Sequence, residues 1–254
     1  MSISERRRVQ LDRHHAYVAG DSPYQAGLRL QQSLWRESHG LEPGTQGGRL
    51  CGGRLTDADA AAGRNALDPV AVAAAVVDAD GLIERDRFEG NLLSSQPLAF
   101  NLFASLAADL PLATSVLRHL LPGQVSAVRQ IRFEHSPGRR QPAFLDNRSA
   151  FDVFVDYLTS GGEPAFLGIE VKYHEDLRGP TPTEKRSRYD EVARASGAFV
   201  TTDGLWAPVL WQLWLDHLLA LSYLQGSDAY AHGSFVLLAP AGNLPCRQAA
   251  ARYR

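Results

Sequence analysis

Three residues in the middle of the chain have types and spacing that suit chemistry: Asp152, Glu170 and Lys172. They belong to two apolar segments, 150–158 and 165–173, joined by Thr159-Ser160-Gly161-Gly162-Glu163, a connection of hairpin length. With Gly161 as the centre of a symmetric hairpin, Asp152 lies nine residues before it and Glu170 nine after. The two carboxylates then face each other across the strands, with Cβ atoms about 5 Å apart. Lys172 follows two residues on, on the same face and about 7 Å away. Its own partner position is Ala150, which leaves space for a long side chain. The opposite face tests the register, because a slip of one residue would exchange the faces. It carries Val153, Val155 and Tyr157 against Leu167, Ile169 and Val171, all apolar, and belongs in a core.

Two facing acids repel unless something positive lies between them. Lys172 can do part of this, and a divalent cation does it better. Two hard oxygen ligands suit Mg²⁺ or Mn²⁺, which keep several waters and share phosphate oxygens. A lysine beside them can orient or help deprotonate an attacking water and offset charge developing on phosphorus. The residues alone therefore point to metal-assisted hydrolysis of a phosphodiester. The competing reading is a solvated strand face bearing an ion pair, which contributes little to stability.

The elements that must position these residues follow from pattern. Residues 91–108 carry apolar residues at helical spacing with a break expected at Pro97, and a second short helix covers 112–121. Strand-like runs follow at 126–133, 150–158 and 165–173, then a charged helix at 183–195, a strong apolar helix at 207–224 and a buried strand at 234–239. Upstream, helices are expected near 23–38 and 69–77, with a glycine-rich, irregular connection over 40–65. Its glycines lack a following Gly-Lys-Ser/Thr, so they do not form a P-loop. The expected organisation is an N-terminal helical extension over 1–87 and a core over 88–254.

The pattern Asp152…Glu170-Val171-Lys172, set on a strand hairpin preceded by a helix and a strand and followed by a helix and a strand, resembles the PD-(D/E)XK, or restriction-endonuclease-like, nuclease superfamily. The resemblance covers about 88–240, and the words NLLSSQPLAFNLF, SAFDVF and LGIEVKYHE resemble a bacterial branch of it. It implies an α/β fold with an αβββαβ core, a mixed central sheet and flanking helices. It also implies that Asp152 and Glu170 bind the metal, that the Val171 carbonyl adds a ligand, and that Lys172 acts on the water. Phe151 stands where the family's proline would be. The family often adds an acid from its first helix, for which Glu89 is the candidate. RecB-type members carry a glutamine in the helix after the ExK strand, and Gln212 takes a comparable place, with Asp216 where their tyrosine would follow. The implied activity is that of a metal-dependent nuclease on DNA rather than RNA. Two alternatives stay open: a non-catalytic nucleic-acid-binding or structural module of the same fold, and a phosphohydrolase acting on a small nucleotide.

Other residues are read more cautiously. Asp156 faces Phe166 and suits a strand-end role, while Glu134 ends the first strand and either approaches the site or forms a salt bridge. His174 shares the lysine's face, and His217 suits packing in the long helix. Arg139, Arg140 and Arg148 lie between the first two strands, and Lys185, Arg186 and Arg188 on the charged helix. Either set can track a phosphate backbone, or form an ordinary solvated surface. Trp206, Trp211 and Trp214 are expected in the core.

Composition sets the outer bounds. The 254 residues carry a net charge of −2, with 44% hydrophobic and 21% charged residues, as in an ordinary globular domain. Nothing global draws this chain to nucleic acid, so affinity must come from a local groove or a partner protein, and a homodimer is compatible with this. The basic residues are 26, all arginine except Lys172 and Lys185. Two distant cysteines, Cys51 and Cys246, argue against a disulfide scaffold and for the reducing cytoplasm. The apolar stretch 208–224 is interrupted by Gln212, Asp216 and His217, and Arg6, Arg7 and Arg8 precede no apolar run, so neither a membrane span nor a secretory signal is expected.

Overall fold

The computed structural model describes residues 4–81, 83–179 and 186–253. The chain begins with α1 (Glu5–Arg13) and α2 (Pro23–Ser38), then a hairpin of β1 (Pro43–Gln46) and β2 (Arg49–Leu55). Next come α3 (Asp57–Ala61), α4 (Pro69–Val77), α5 (Arg85–Gly90), α6 (Ser95–Ala108) and α7 (Leu110–Leu120). The strands β3 (Val125–His135), β4 (Phe151–Thr159) and β5 (Pro164–Val171) follow. The chain continues through α8 (Arg186–Ser196), α9 (Trp211–Gly226), β6 (His232–Leu238) and α10 (Leu244–Tyr253).

The main sheet has the order β3-β4-β5-β6. The first three strands are antiparallel neighbours, and β6 runs parallel to β5. Parallel neighbours need a crossover, which here contains α8 and α9. The β4–β5 register is the one that symmetry about Gly161 requires: Val153 pairs with Ile169, Val155 with Leu167 and Tyr157 with Ala165. At the turn, Thr159 N donates to Glu163 O and Gly162, in the left-handed region at φ 85°, donates to Thr159 O.

Each face of the hairpin is buried in its own layer. Val153, Val155, Tyr157, Leu167, Ile169 and Val171 pack with α4, α6 and α7, including Phe100 and Leu117. On the other side Phe151, Phe154 and Phe166 pack with Tyr189, Trp211, Trp214 and Leu218 of α8 and α9. Phe154 and Phe166 stack with centroids 5.2 Å apart. Gly233 leaves room for the second ring, since a Cβ there would lie 2.4 Å from Phe166 Cζ. Burying each ring stabilises the fold by about 1.5–3 kcal/mol.

Three expectations are corrected. The stretch 40–65 is not an irregular connection, because Gly47 and Gly48, at φ 58° and 75°, make the two-residue turn that closes Gln46 on Arg49 in the β1–β2 hairpin. Two positive φ angles define the turn type that tight hairpins favour. Strands as short as PGTQ, or as glycine-rich as RLCGGRL, carry no alternating pattern. Pro97 does not break a helix; it lies in the first turn of α6, where its missing N–H has no intrahelical partner to lose. The apolar helix expected from 207 begins at Trp211, and α10 carries no strong apolar period to announce it.

The N-terminal elements dock on the core. A Cβ at Gly52 would lie 2.2 Å from both His14 O and Ser33 Oγ, so the backbone of β2 and α2 meet at contact distance. From α2, Gln32 Nε2 donates to Tyr173 Oη (2.7 Å), Tyr24 Oη to Tyr173 O and Gln25 Nε2 to His174 O. These bonds seize the segment that leaves β5. Among the described residues no single helix is long and apolar enough to cross a membrane.

Candidate active site

The β4–β5 ladder ends at Val153–Ile169, one pair short of the acids. β4 continues beside β3 to the pair His135–Phe151. The Asp152 side chain fills the gap: its Oδ2 accepts from Val171 N at 2.7 Å, replacing the backbone acceptor that the departing strand removes. The ring of Phe151 lies over Gly168, where a Cβ would sit 2.4 Å from Phe151 Cε1. Asp152 and Glu170 are thereby brought together where the two strands part.

Glu170 is buried and held from two sides. Lys172 Nζ and Gln212 Nε2 both donate to its Oε1, each at 2.6 Å. Gln212 comes from the first turn of α9, so the crossover helix and the ExK strand meet on one oxygen. Burial alone would lower the Lys172 ammonium, but the charge and hydrogen bond of Glu170, with Asp152 and Asp216 beyond, hold it up at about 12. Burial, then the charge of Glu170, push Asp152 well above the usual carboxylate range, against the Val171 N–H that favours its ionised form.

Two further groups belong to this neighbourhood. Asp216, one turn after Gln212, is 5% exposed, and burial and then Glu170 push its carboxyl well up. Among the described residues its Oδ2 has no hydrogen-bond partner. Its signal in the sequence was an acid four residues after Gln212, interrupting an apolar helix. Glu134, near the end of β3, adopts the left-handed region at φ 50° and its Oε1 accepts from Gln96 Nε2 at 2.8 Å. Burial raises it, and Glu170 adds to the rise. Gln96 stands in the first turn of α6 and had no pattern to single it out.

Glu89 is not brought to this cluster. It lies on α5, 4.0 Å from Arg85, and lines an apolar groove with Val72, Val76 and Phe88. The acid near the pair comes from Glu134 on a strand. His174 gives Nδ1 to a contact with Leu93 O at 2.9 Å, and Asp156 takes Nε and Nη2 of Arg129 at 2.9 and 2.7 Å. His217 meets Tyr253 Oη and packs on Phe199.

The arginines divide. Arg188 spends its guanidinium on Phe144 O (2.6 Å) and Ala143 O (2.9 Å) and pairs with Glu191, so it fastens the β3–β4 connection rather than facing a ligand. Arg186 lies 4.4 Å over the Trp206 ring and 3.9 Å from Asp190. Arg139, Arg140 and Arg148 are exposed on the β3–β4 connection, which leaves the sheet at the Asp152 end, and have no ion pair among the described residues. Lys185 lies outside the described residues.

The donor set fits a hard divalent cation. Protein donors occupy one oxygen of Asp152 and one of Glu170, and among the described residues the second oxygen of each has none. Acids outnumber the single lysine, and burial, followed by the charge of Glu170, raises the carboxyls of Asp152, Asp216 and Glu134. No group of three His, Cys, Asp or Glu among the described residues forms a ready cage. Mg²⁺ needs none, since it is bound through one or two carboxylates and completes its shell with water and phosphate.

A mixed sheet whose hairpin delivers an aspartate and a Glu-x-Lys to one end, with a crossover helix returning a glutamine to the glutamate, is a nuclease-type α/β core. The chain belongs to the PD-(D/E)XK nuclease superfamily, whose family model matches residues 19–254. The match takes in α2 and the β1–β2 hairpin as well as the sheet. Comparison with curated proteins and with solved structures gives no match. Membership suggests a nuclease-like phosphodiesterase with a nucleic-acid substrate.

Proposed function

We propose that the protein is a metal-dependent nuclease that hydrolyses phosphodiester bonds in DNA, in the cytoplasm. The observation that carries this reading is the convergence of Asp152, Glu170, Lys172 and Gln212 where β4 and β5 separate. Asp152 and Glu170 would hold Mg²⁺ or Mn²⁺, with the Val171 carbonyl beside them. The cation, when bound, supplies Lewis acidity and offsets charge developing on the phosphate. Gln212 fixes the rotamer of Glu170 without adding charge. Lys172, held protonated by its acid neighbours, places a positive group beside the scissile phosphate and orients the attacking water. Arg139, Arg140 and Arg148 extend from the same end of the sheet and would follow the DNA backbone. The two buried, unpaired thiols, Cys51 and Cys246, support a reducing compartment.

The test is cleavage of single-stranded, duplex and circular DNA and of RNA, with Mg²⁺ or Mn²⁺ against EDTA. The wild type runs beside Asp152→Asn and Lys172→Ala. Cleavage that needs the metal and is lost in both variants is expected. Cleavage surviving in both would place the chemistry elsewhere, and a folded wild type that cuts nothing favours a binding module.

A further inference from the structure

The Asp216 carboxylate has no role in the arrangement above. It is buried on α9, one turn beyond Gln212, and among the described residues its Oδ2 has no donor. A carboxylate withdrawn from water without a partner destabilises the fold, so its presence asks for a state in which a donor arrives. Glu170 has the opposite condition: its Oε1 takes both Gln212 Nε2 and Lys172 Nζ at 2.6 Å. One of these two donors is redundant for orienting Glu170. Gln212 is neutral and can stay when a cation sits on Glu170; the ammonium of Lys172 is repelled by that cation. Among the charges that act on Asp216, which are Glu170, Lys172 and Asp152, Lys172 is the positive one.

We propose that Asp216 is a positioning residue that receives the Lys172 ammonium when Glu170 binds a divalent cation. The proposal rests on the cation-dependent reading of the site given above. Lys172 exchanges a Glu170 oxygen for Asp216, the orphaned carboxylate gains its donor, and Gln212 keeps Glu170 aligned. No covalent bond changes. The role of Asp216 is to take the ammonium off Glu170 and so free that carboxylate for the cation, while Lys172 stays within the site beside the phosphate.

The chain has two lysines, Lys172 and Lys185, so carbon-13 labelling at lysine Cε gives two side-chain signals, which Lys172→Met assigns. Mg²⁺ is titrated into the full-length wild type, Asp216→Asn, Lys172→Met and the double variant, following the signals and, by calorimetry, the affinity. Thermal unfolding confirms folding, and Asp216→Ser replaces Asp216→Asn if the latter does not fold. Asp216→Asn is expected to weaken Mg²⁺ binding about tenfold while Lys172 is present, as coupled neighbours do. It should have no effect in the Lys172→Met background, and the Mg²⁺-induced shift of the Lys172 signal should change in Asp216→Asn. Equal weakening in both backgrounds means that Asp216 acts on the cation itself and overturns the proposal. An unchanged affinity with an unchanged Lys172 shift overturns it too. A wild type that binds neither Mg²⁺ nor Mn²⁺ instead removes the cation-dependent reading on which the proposal stands.

Discussion

Glu175, partly buried just after β5, and Asp216, buried on α9, are two carboxylates that the fold treats differently. Glu175 Oε1 accepts from Ser95 N at 2.9 Å, and its Oε2 accepts from Tyr173 N and His174 N at 2.9 and 3.1 Å. Ser95 opens α6, where N–H groups lack intrahelical partners and the helix dipole is positive. Burial works to raise Glu175, but those backbone donors outweigh it and leave the carboxyl below its ordinary value. Asp216 is more deeply buried, has no donor on Oδ2 among the described residues, and moves up. A partly buried acid supplied with donors is a latch, here tying the segment after β5 to α6. A buried acid left without them is charge held in reserve for something that binds. Asp152, with one backbone donor and a raised carboxyl, stands on the second side of this divide.

The largest expected effect tests that second side. Asp152→Asn and Lys172→Ala should each lower the DNA cleavage rate about 10³-fold, as loss of a charge-stabilising group does. Asp152→Asn should leave thermal unfolding near the wild-type temperature, whereas Lys172→Ala, which leaves Glu170 buried without its ammonium partner, should lower it. On the first side, Glu175→Ala should lower unfolding free energy by about 3 kcal/mol, because charge-assisted bonds are lost and backbone N–H groups stay buried. Urea unfolding measures this. Asp216→Asn should hold or raise stability, by up to about 1 kcal/mol, since it replaces a buried carboxyl lacking a donor on Oδ2 by a group of the same shape that cannot ionise. Equal destabilisation by both substitutions would erase the distinction.

The latch should also follow pH with a definite sign. Glu175 titrates lower in the folded state than in the unfolded one, so the unfolded chain binds its proton first as pH falls. Its contribution is fully present above the unfolded value and is lost as pH falls through the lowered folded value. The stability gap between wild type and Glu175→Gln, measured by urea unfolding from neutral to acid pH, should narrow over that window. A gap that widens on acidification would mean that the backbone donors do not hold the charged form.

Gln212→Leu gives a smaller effect. It removes the neutral donor from Glu170 Oε1 and leaves the bound cation to orient the carboxylate, so a loss of about tenfold in cleavage is expected, near the value of one hydrogen bond to a charged group. A loss as large as that of Lys172→Ala would show that the glutamine does more than orient.

The hairpin was legible because its signals are local and redundant. A glycine centre, one wholly apolar face opposite one that carries the charges, and residue spacing of two all report one register, and Val153 against Ile169 is where they place it. Asp216 carried only the hint of an acid interrupting an apolar helix, and Gln96 carried none, because their places in the site depend on how α9 and α6 dock, which no short-range pattern records. Glu89 failed for the same reason: its helix was expected to join the one that became α6, but the chain breaks between Gly90 and Ser95 and carries α5 aside. The β1–β2 hairpin was hidden because close approach at Gly52 and Gly53 requires the glycines that blur a strand pattern.

The same division between spent and unspent groups applies to the arginines, and it gives the smallest effect. Arg188 is committed to the carbonyls of Ala143 and Phe144, whereas Arg139, Arg140 and Arg148 extend from the loop that it fastens. If these three meet phosphates, each alanine substitution should reduce the slope of log affinity against log salt by about 0.9, the value for one phosphate contact on duplex DNA. Arg188→Ala should leave that slope unchanged and instead lower stability by about 1 kcal/mol for its lost hydrogen bonds. Binding is measured in Ca²⁺, which keeps two positive charges on the acids, across a range of salt concentrations. A slope that falls with Arg188 and not with its three neighbours would reverse the assignment and move the DNA path from the β3–β4 connection to α8.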